Sequence, residues 1–264
     1  MLSRIEAYEE YGKTSRRRHR LRMLYIVTSA AMIALGVTLG YRYGLRAPAI
    51  MEYEVVAERG QKSTVTMPDG TRIWLNSDSR LRYTSDFNRK DRHVTLEGEG
   101  YFEVATVQAL PFVVTANEMR VTALGTKFDV KAYSNDAEIV ATLVEGKIET
   151  VAGDEKMIVL PNSRASYNRG TGKMRTETLH YSDHAIPWRN NELVIEGESL
   201  GEISMMLERM YNVEIVFSDK TLTEYRYRGL VRNSTLSNVL SLISSTSPVE
   251  YKIYGNTIKF SRKQ

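Results

Sequence analysis

The sequence predicts a mainly β protein in three parts: a single N-terminal transmembrane helix, an all-β domain, and a small α+β domain of two strand-helix-strand units. Three observations carry this. Met23 to Tyr41 contains no charged side chain, apolar residues alternate from Val55 to about Thr178, and a helical period returns between short strands after Leu193. The expected boundaries are 1–22 for a short cytoplasmic segment, 23–43 for the membrane helix, 55–180 for the β-domain and 188–264 for the α+β domain.

Met23 to Tyr41, as a helix, would rise about 28 Å against a hydrocarbon core of roughly 30 Å. Lys13, Arg16, Arg17, Arg18, Arg20 and Arg22 precede it, whereas only Arg42 and Arg46 follow closely. Basic flanks stay inside, so the amino end is expected in the cytoplasm and everything after Ala47 across the membrane. Ala47-Pro48-Ala49 has the small-x-small look of a signal cleavage site. The apolar run is longer than a signal core of about 7 to 15 residues, and the proline is unfavourable there, so an anchor is expected.

Charge placement bears on partners. The chain carries +4 overall, but residues 1–46 carry +6 and the remainder −2. The basicity therefore belongs to the membrane flank, where it can meet anionic lipid, and not to a nucleic-acid surface. The absence of cysteine excludes disulfides, Cys-ligated zinc and thiol catalysis, and suits a bacterial envelope protein.

Ahead of the span, Ile5, Tyr8 and Tyr11 fall on one helical face. Such a short run is marginal as an isolated helix, so a disordered tail is expected before a docking peptide. Within the span Gly36, Gly40 and Gly44 recur every four residues, a spacing that lets two helices approach closely and also one that common membrane glycines produce by accident.

The β-domain begins with a hairpin: Val65 and Met67, then Ile73 and Leu75, flank the turn composition Pro68-Asp69-Gly70. Runs at 81–83, 93–96, 101–104, 111–115, 119–123, 127–133, 138–144, 147–151 and 157–160 follow, punctuated by Gly and Asn. Short strands at this spacing indicate a sandwich or a wrapped β-structure. Leu96-Glu97-Gly98-Glu99-Gly100 reads as a tight turn between two of them.

In the last part, Leu193 to Glu196 reads as a strand. Ser199 and Glu202 form a capping box before the stripe Leu200, Ile203, Leu207 and Met210, and Asn212 ends the helix. Val213 to Phe217 and Tyr225 to Leu230 are further strands. A cap at Asn233 or Ser234 opens a second helix with Leu236, Val239, Leu240 and Ile243 inward, and Val249 to Tyr254 turns through Gly255-Asn256 into Thr257 to Phe260.

The chain offers no constellation for catalysis, and no cofactor is expected. His180 and His184 stand four apart, but Pro187 follows and no metal site is assigned. Gly98 and Gly100 precede no helix that could bind a phosphate, Glu97, Glu99 and Glu103 suit a solvated strand face, and no G-x-S-x-G motif occurs. Trp74 and Trp188 read as core anchors. Tyr225 and Tyr227, alternating with Arg226 and Arg228, suit either a half-buried strand or an edge that accepts a partner strand.

Several ordered motifs carry a resemblance: 67–76 (MPDGTRIWLN), 96–104 (LEGEGYFEV), Pro111-Phe112, 124–130 (LGTKFDV), 143–147 (LVEGK), Leu160-Pro161 and the stretch from Trp188 to Leu193. Together they resemble the FecR-type transmembrane regulators. The C-terminal part resembles the short N-terminal domain of secretins and TonB-dependent receptors. Gly100 stands where that family usually has alanine, and about 22 residues precede the span where a longer helical anti-sigma region is common. The resemblance implies a cell-surface signalling role, with a TonB-dependent outer-membrane receptor and an extracytoplasmic-function sigma factor as partners. The alternative is a structural or ligand-binding envelope protein that binds no sigma factor.

Overall fold

The computed structural model describes residues 2–44, 49–179, 186–232 and 235–263, with the backbone alone for 2–19 and 44. His180, His184, the cap candidates Asn233 and Ser234, and Ala47 and Pro48 of the cleavage-like triplet lie outside the described residues.

Helix α1 runs unbroken over Leu2–Gly44. The segment ahead of the span is thus helical, against the expectation of a disordered tail. The physical reason is cooperativity: nucleation is costly once, and the apolar stretch supplies one long helix onto which the polar segment adds residue by residue. Arg20–Tyr43 is long and apolar enough to cross a membrane, with a mean hydropathy of 1.9. Its hydroxyls are satisfied within the helix, Thr28 Oγ1 donating to Leu24 O at 3.0 Å and Thr38 Oγ1 to Ala34 O at 2.9 Å. An apolar solvent requires such internal pairing.

The chain from Ile50 onward forms the second compact unit. Thirteen strands come first: β1 Glu52–Ala57, β2 Ser63–Thr66, β3 Arg72–Leu75, β4 Ser79–Thr84, β5 Arg92–Glu103, β6 Phe112–Ala116, β7 Met119–Ala123, β8 Lys127–Ala132, β9 Glu138–Glu145, β10 Ile148–Ala152, β11 Glu155–Val159, β12 Ser163–Asn168 and β13 Lys173–Thr178. They wrap into two half-sheets that share β5. The first is ordered β1-β4-β5-β6-β7-β10-β11 and the second β2-β3-β5-β8-β9-β12-β13.

The β2–β3 hairpin forms as expected, with Val65 opposite Ile73 and Gly70 at φ +88° in the turn. The stretch 96–100 corrects the expectation: it is no turn but the middle of the twelve-residue β5. Residues 92–97 pair with β4 and β6, and residues 98–103 with β3 and β8. Gly98, at φ +94°, marks the change of sheet. A Cβ there would stand 2.4 Å from Ser79 Oγ and 2.8 Å from Asp78 O, so only glycine lets β4 approach.

Inward residues of both half-sheets, among them Leu75, Leu96, Phe102, Phe112, Phe128, Val130 and Leu143, form one apolar core. Phe102 and Phe128 stack with centroids 5.0 Å apart. The charged side chain of Arg92 lies inside, 0% exposed. Its Nη1 donates to Asp69 Oδ2 at 3.0 Å and Ala105 O at 2.8 Å, and its Nε to Leu110 O at 2.8 Å. Asp69 in turn accepts from the backbone N and hydroxyl of Thr71. The hairpin turn is thereby tied to the start of β5.

The remaining elements are a 3-10 turn Pro187–Asn190, β14 Leu193–Ser199, α2 Leu200–Tyr211, β15 Glu214–Phe217, a 3-10 turn Lys220–Glu224, β16 Arg226–Val231, α3 Leu236–Thr246, β17 Val249–Tyr254 and β18 Thr257–Arg262. Ser199 and Glu202 close the capping box on α2, and Asn212 ends it at φ 52° in the left-handed region. Thr235 caps α3 by accepting from Asn238 N. Strands pair as β14-β16 and β15-β18-β17, and the two helices bury Leu200, Ile203, Leu207, Val239, Leu240 and Ile243 in a second core separate from the first.

Candidate functional site: the interface between the two domains

The outer face of the second half-sheet is polar, as strand alternation requires when the inner face is core. One cross-strand row aligns Trp74, Tyr101, Asp129, Thr142 and Arg164 on β3, β5, β8, β9 and β12. A neighbouring pair sets Glu99 opposite Lys131. The C-terminal domain sits on this face, so the expected solvated strand face is partly covered.

The turn Pro187–Asn190 supplies the central contact. Trp188, only 6% exposed, donates from Nε1 to Asp129 Oδ1 at 3.1 Å, and Asp129 is itself 5% exposed. Trp188 therefore plugs the domain interface and belongs to neither apolar core. Arg189 lies 4.4 Å from the ring centroid of Trp74 and 4.2 Å from that of Tyr101, with Glu103 at 3.8 Å. Trp74 is half-buried on the sheet's outer face, not a core anchor as expected. It offers its ring to a cation.

Helix α2 supplies the second contact. Arg209, 5% exposed, donates from Nη1 to Asp136 Oδ1 at 2.8 Å and Asn135 Oδ1 at 2.9 Å, and its guanidinium stands 3.8 Å from the Tyr133 ring centroid. Arg164 reaches Glu196 of β14 at 3.1 Å. A cleft of about 510 Å³ remains between the domains, lined by Glu99, Asp129, Lys131, Trp188, Met205 and Arg209 among others.

Two carboxyl groups in this cleft are shifted. Burial pushes Asp129 well above the ordinary carboxylate range, reinforced by the nearby charge of Glu99, while the Trp188 N–H opposes the shift. Glu99 keeps some solvent access as a residue, yet the protein around its carboxyl pushes it up too, against Lys131, the Asn76 hydrogen bond at 2.7 Å and Arg209. Burial likewise drives the Tyr133 hydroxyl well above its usual value, where it stays a donor to Ser77 O at 2.8 Å.

The strand expected to meet a partner is placed differently from its simplest reading. Tyr225 precedes β16, and Tyr225 and Tyr227 pack toward the second core, Tyr227 donating to Ser247 Oγ at 2.9 Å. Arg226 and Arg228 point outward but are engaged: they donate to Gly197 O at 2.7 Å and Glu196 O at 3.2 Å across the irregular end of β14. Among the described residues, β16 pairs with β14 alone. In α1, a side chain added at Gly36 or Gly40 would meet nothing within 4 Å. Sequence reasoning missed Asp129, Arg189 and Arg209, since nothing local marks them.

Family models described as FecR protein and as FecR, C-terminal match residues 53–149 and 192–260, which together make up more than half of the chain. Two crystal structures of a candidate anti-sigma factor from Parabacteroides distasonis ATCC 8503 share the fold at 28% identity. One, with a TM-score of 0.75, covers 80% of this chain and all of its own, and the other, with a TM-score of 0.76, covers 81% and all of its own. No curated protein matches the sequence. The chain belongs to the FecR family.

Proposed function

We propose that this protein is a membrane-anchored signalling regulator that controls an extracytoplasmic-function sigma factor in response to a TonB-dependent outer-membrane receptor. The observation that carries the reading is the joining of a FecR-type two-domain body to one apolar helix with a basic amino-terminal flank. The similarity to a candidate anti-sigma factor supports the regulatory half of it. In this reading the amino end is cytoplasmic, the body periplasmic and the helix in the inner membrane.

The amino-terminal segment, continuous in backbone with the span, offers the sigma factor an ordered helical ligand. The receptor's signalling domain meets the C-terminal domain at the second edge of β16, where backbone pairing gives affinity and the alternate side chains give selectivity. Gly36 and Gly40 let the helices of two copies approach.

The test has three arms. A reporter active only in the periplasm, fused after Gln264, is expected to be active; activity confined to the cytoplasm reverses the topology and sinks the reading. Residues 1–22 are expected to bind the sigma factor encoded beside this gene in a two-hybrid assay, and no signal with any co-encoded sigma factor removes that partner. Gly36→Leu is expected to weaken self-association in a membrane dimerisation assay, and unchanged association leaves these glycines without a partner helix.

A further inference from the structure

The loop of residues 58–62, between β1 and β2, touches the C-terminal domain at both of its anchor points. Gly60 N donates to Arg209 O at 2.9 Å, one of the last-turn carbonyls of α2 that a helix end leaves without an internal partner. Gly60 is at φ +77°, and a Cβ there would stand 3.3 Å from Asn212 Cβ, so the loop lies directly against the residue that terminates α2. Two residues on, Lys62 Nζ donates to Trp188 O at 2.6 Å and to Asn191 Oδ1 at 3.0 Å, and lies 5.6 Å from the Trp188 ring centroid. The same loop is held to the β-domain by Arg59 with Asp78 at 3.2 Å and by Ser63 Oγ on Val56 O at 2.9 Å.

β1, which runs into this loop, is the first strand after the apolar helix and, among the described residues, an edge strand paired with β4 alone. An edge strand held by one ladder is the element most readily shifted or frayed. We propose that residues 58–62 are a mechanical relay: they read whether the C-terminal domain is docked on the β-domain and convert its release into loosening of β1. The interface suits a reversible latch, because the two apolar cores do not merge and the contacts described between the domains are polar or aromatic, among them the Trp188 indole, stacked cations and the Arg209–Asp136 and Arg164–Glu196 pairs. Polar interfaces of this kind permit relative domain motion. By linkage, whatever loosens β1 must also weaken docking.

The relay predicts which amides change when docking is disturbed at a distance from the loop. Hydrogen exchange of the full chain in detergent micelles is the readout, and it needs neither sigma factor nor receptor, so its failure leaves the proposed function standing. Asp136→Ala removes the carboxylate partner of Arg209 without touching residues 58–62. Exchange in 187–191 and in β1 is expected to rise together, each by about tenfold, while the central strands β5 and β8 keep their protection. Lys62→Met, which keeps the aliphatic stem and leaves the Gly60–Arg209 bond, is expected to weaken the coupling: adding Asp136→Ala then frees 187–191 with a smaller rise in β1 than in the parent. A rise in 187–191 without any in β1, or a β1 response that persists undiminished in Lys62→Met, overturns the proposal. Unchanged exchange throughout in Asp136→Ala overturns it too, since a latch must be releasable at its ion pair.

Discussion

Arg92 and Arg209 are both buried, one inside the β-domain and one between that domain and the C-terminal domain, and their surroundings differ in kind. Arg92 is enclosed by one chain segment after another of the same domain: Asp69 Oδ2, Leu110 O and Ala105 O accept its hydrogen bonds. Arg209 meets Asp136, Asn135 and the Tyr133 ring across a cleft into which water can return. The first ion pair can be broken only by unfolding or by leaving a charge in the core. The second can be broken by moving two domains apart, after which both partners hydrate. A buried charge is thus a lock in one place and a latch in the other, because the desolvation penalty is reversible only where the surfaces can part.

The largest effect should come from attacking the lock. Asp69→Ala leaves Arg92 without its carboxylate and is expected to cost about 3–5 kcal/mol of stability, read as a lower urea midpoint for the soluble body. Asp69→Leu combined with Arg92→Met should recover most of that loss. A double variant as unstable as the single one would mean that the hydrogen bonds, not the unpaired charge, matter.

Gly98→Ala comes next. It forces a Cβ into a positive-φ position and against Ser79 and Asp78, so about 1–3 kcal/mol should be lost, with the chain still folded. A melting temperature equal to that of the parent would show that β4 can retreat from β5 freely, against the picture of a tightly shared strand.

Arg209→Ala attacks the latch and should behave otherwise. It is expected to cost no more than about 2 kcal/mol, because Asp136 keeps Lys131 at 3.2 Å and can hydrate on its other side. It should also split unfolding into two transitions, one for each apolar core. A single transition lowered as far as in Asp69→Ala would erase the contrast between the two arginines.

The smallest effect is a change of slope with pH. Asp129 is raised above its unfolded value, so between about pH 4 and that raised value the folded state holds a proton that the unfolded chain has lost. Stability contributed by the protonated group is present below this window and declines as pH rises through it. Asp129→Asn keeps an oxygen for Trp188 Nε1 but removes the titration. It should flatten the decline and leave the protein more stable at neutral pH, and an Asn variant with the parent's pH dependence would assign the titration to Glu99.

Local features of the fold were legible in the sequence. The capping box at Ser199 and Glu202, the stop at Asn212, the stripe Leu200, Ile203 and Leu207, and the turn at Pro68-Asp69-Gly70 all depend on residues within one turn of each other. The apolar helix was equally plain, because its length and composition alone make it long and apolar enough to cross a membrane. Strands β12 and β13 were not legible, since SRASYN and KMRTET show no clear apolar alternation and are recruited by pairing with β9 and with each other. The membership of FecR was readable from the motifs, whereas the geometry those motifs create was not. That β5 serves both half-sheets depends on Ser79 lying against Gly98, and that Trp188 is an interface plug depends on Asp129, fifty-nine residues away. Alternation tells a side chain which face of its strand it occupies, but not what will cover that face. Whether Asp129 and Arg209 end in water or at a buried contact was decided only when the second domain came down on the polar side of the first.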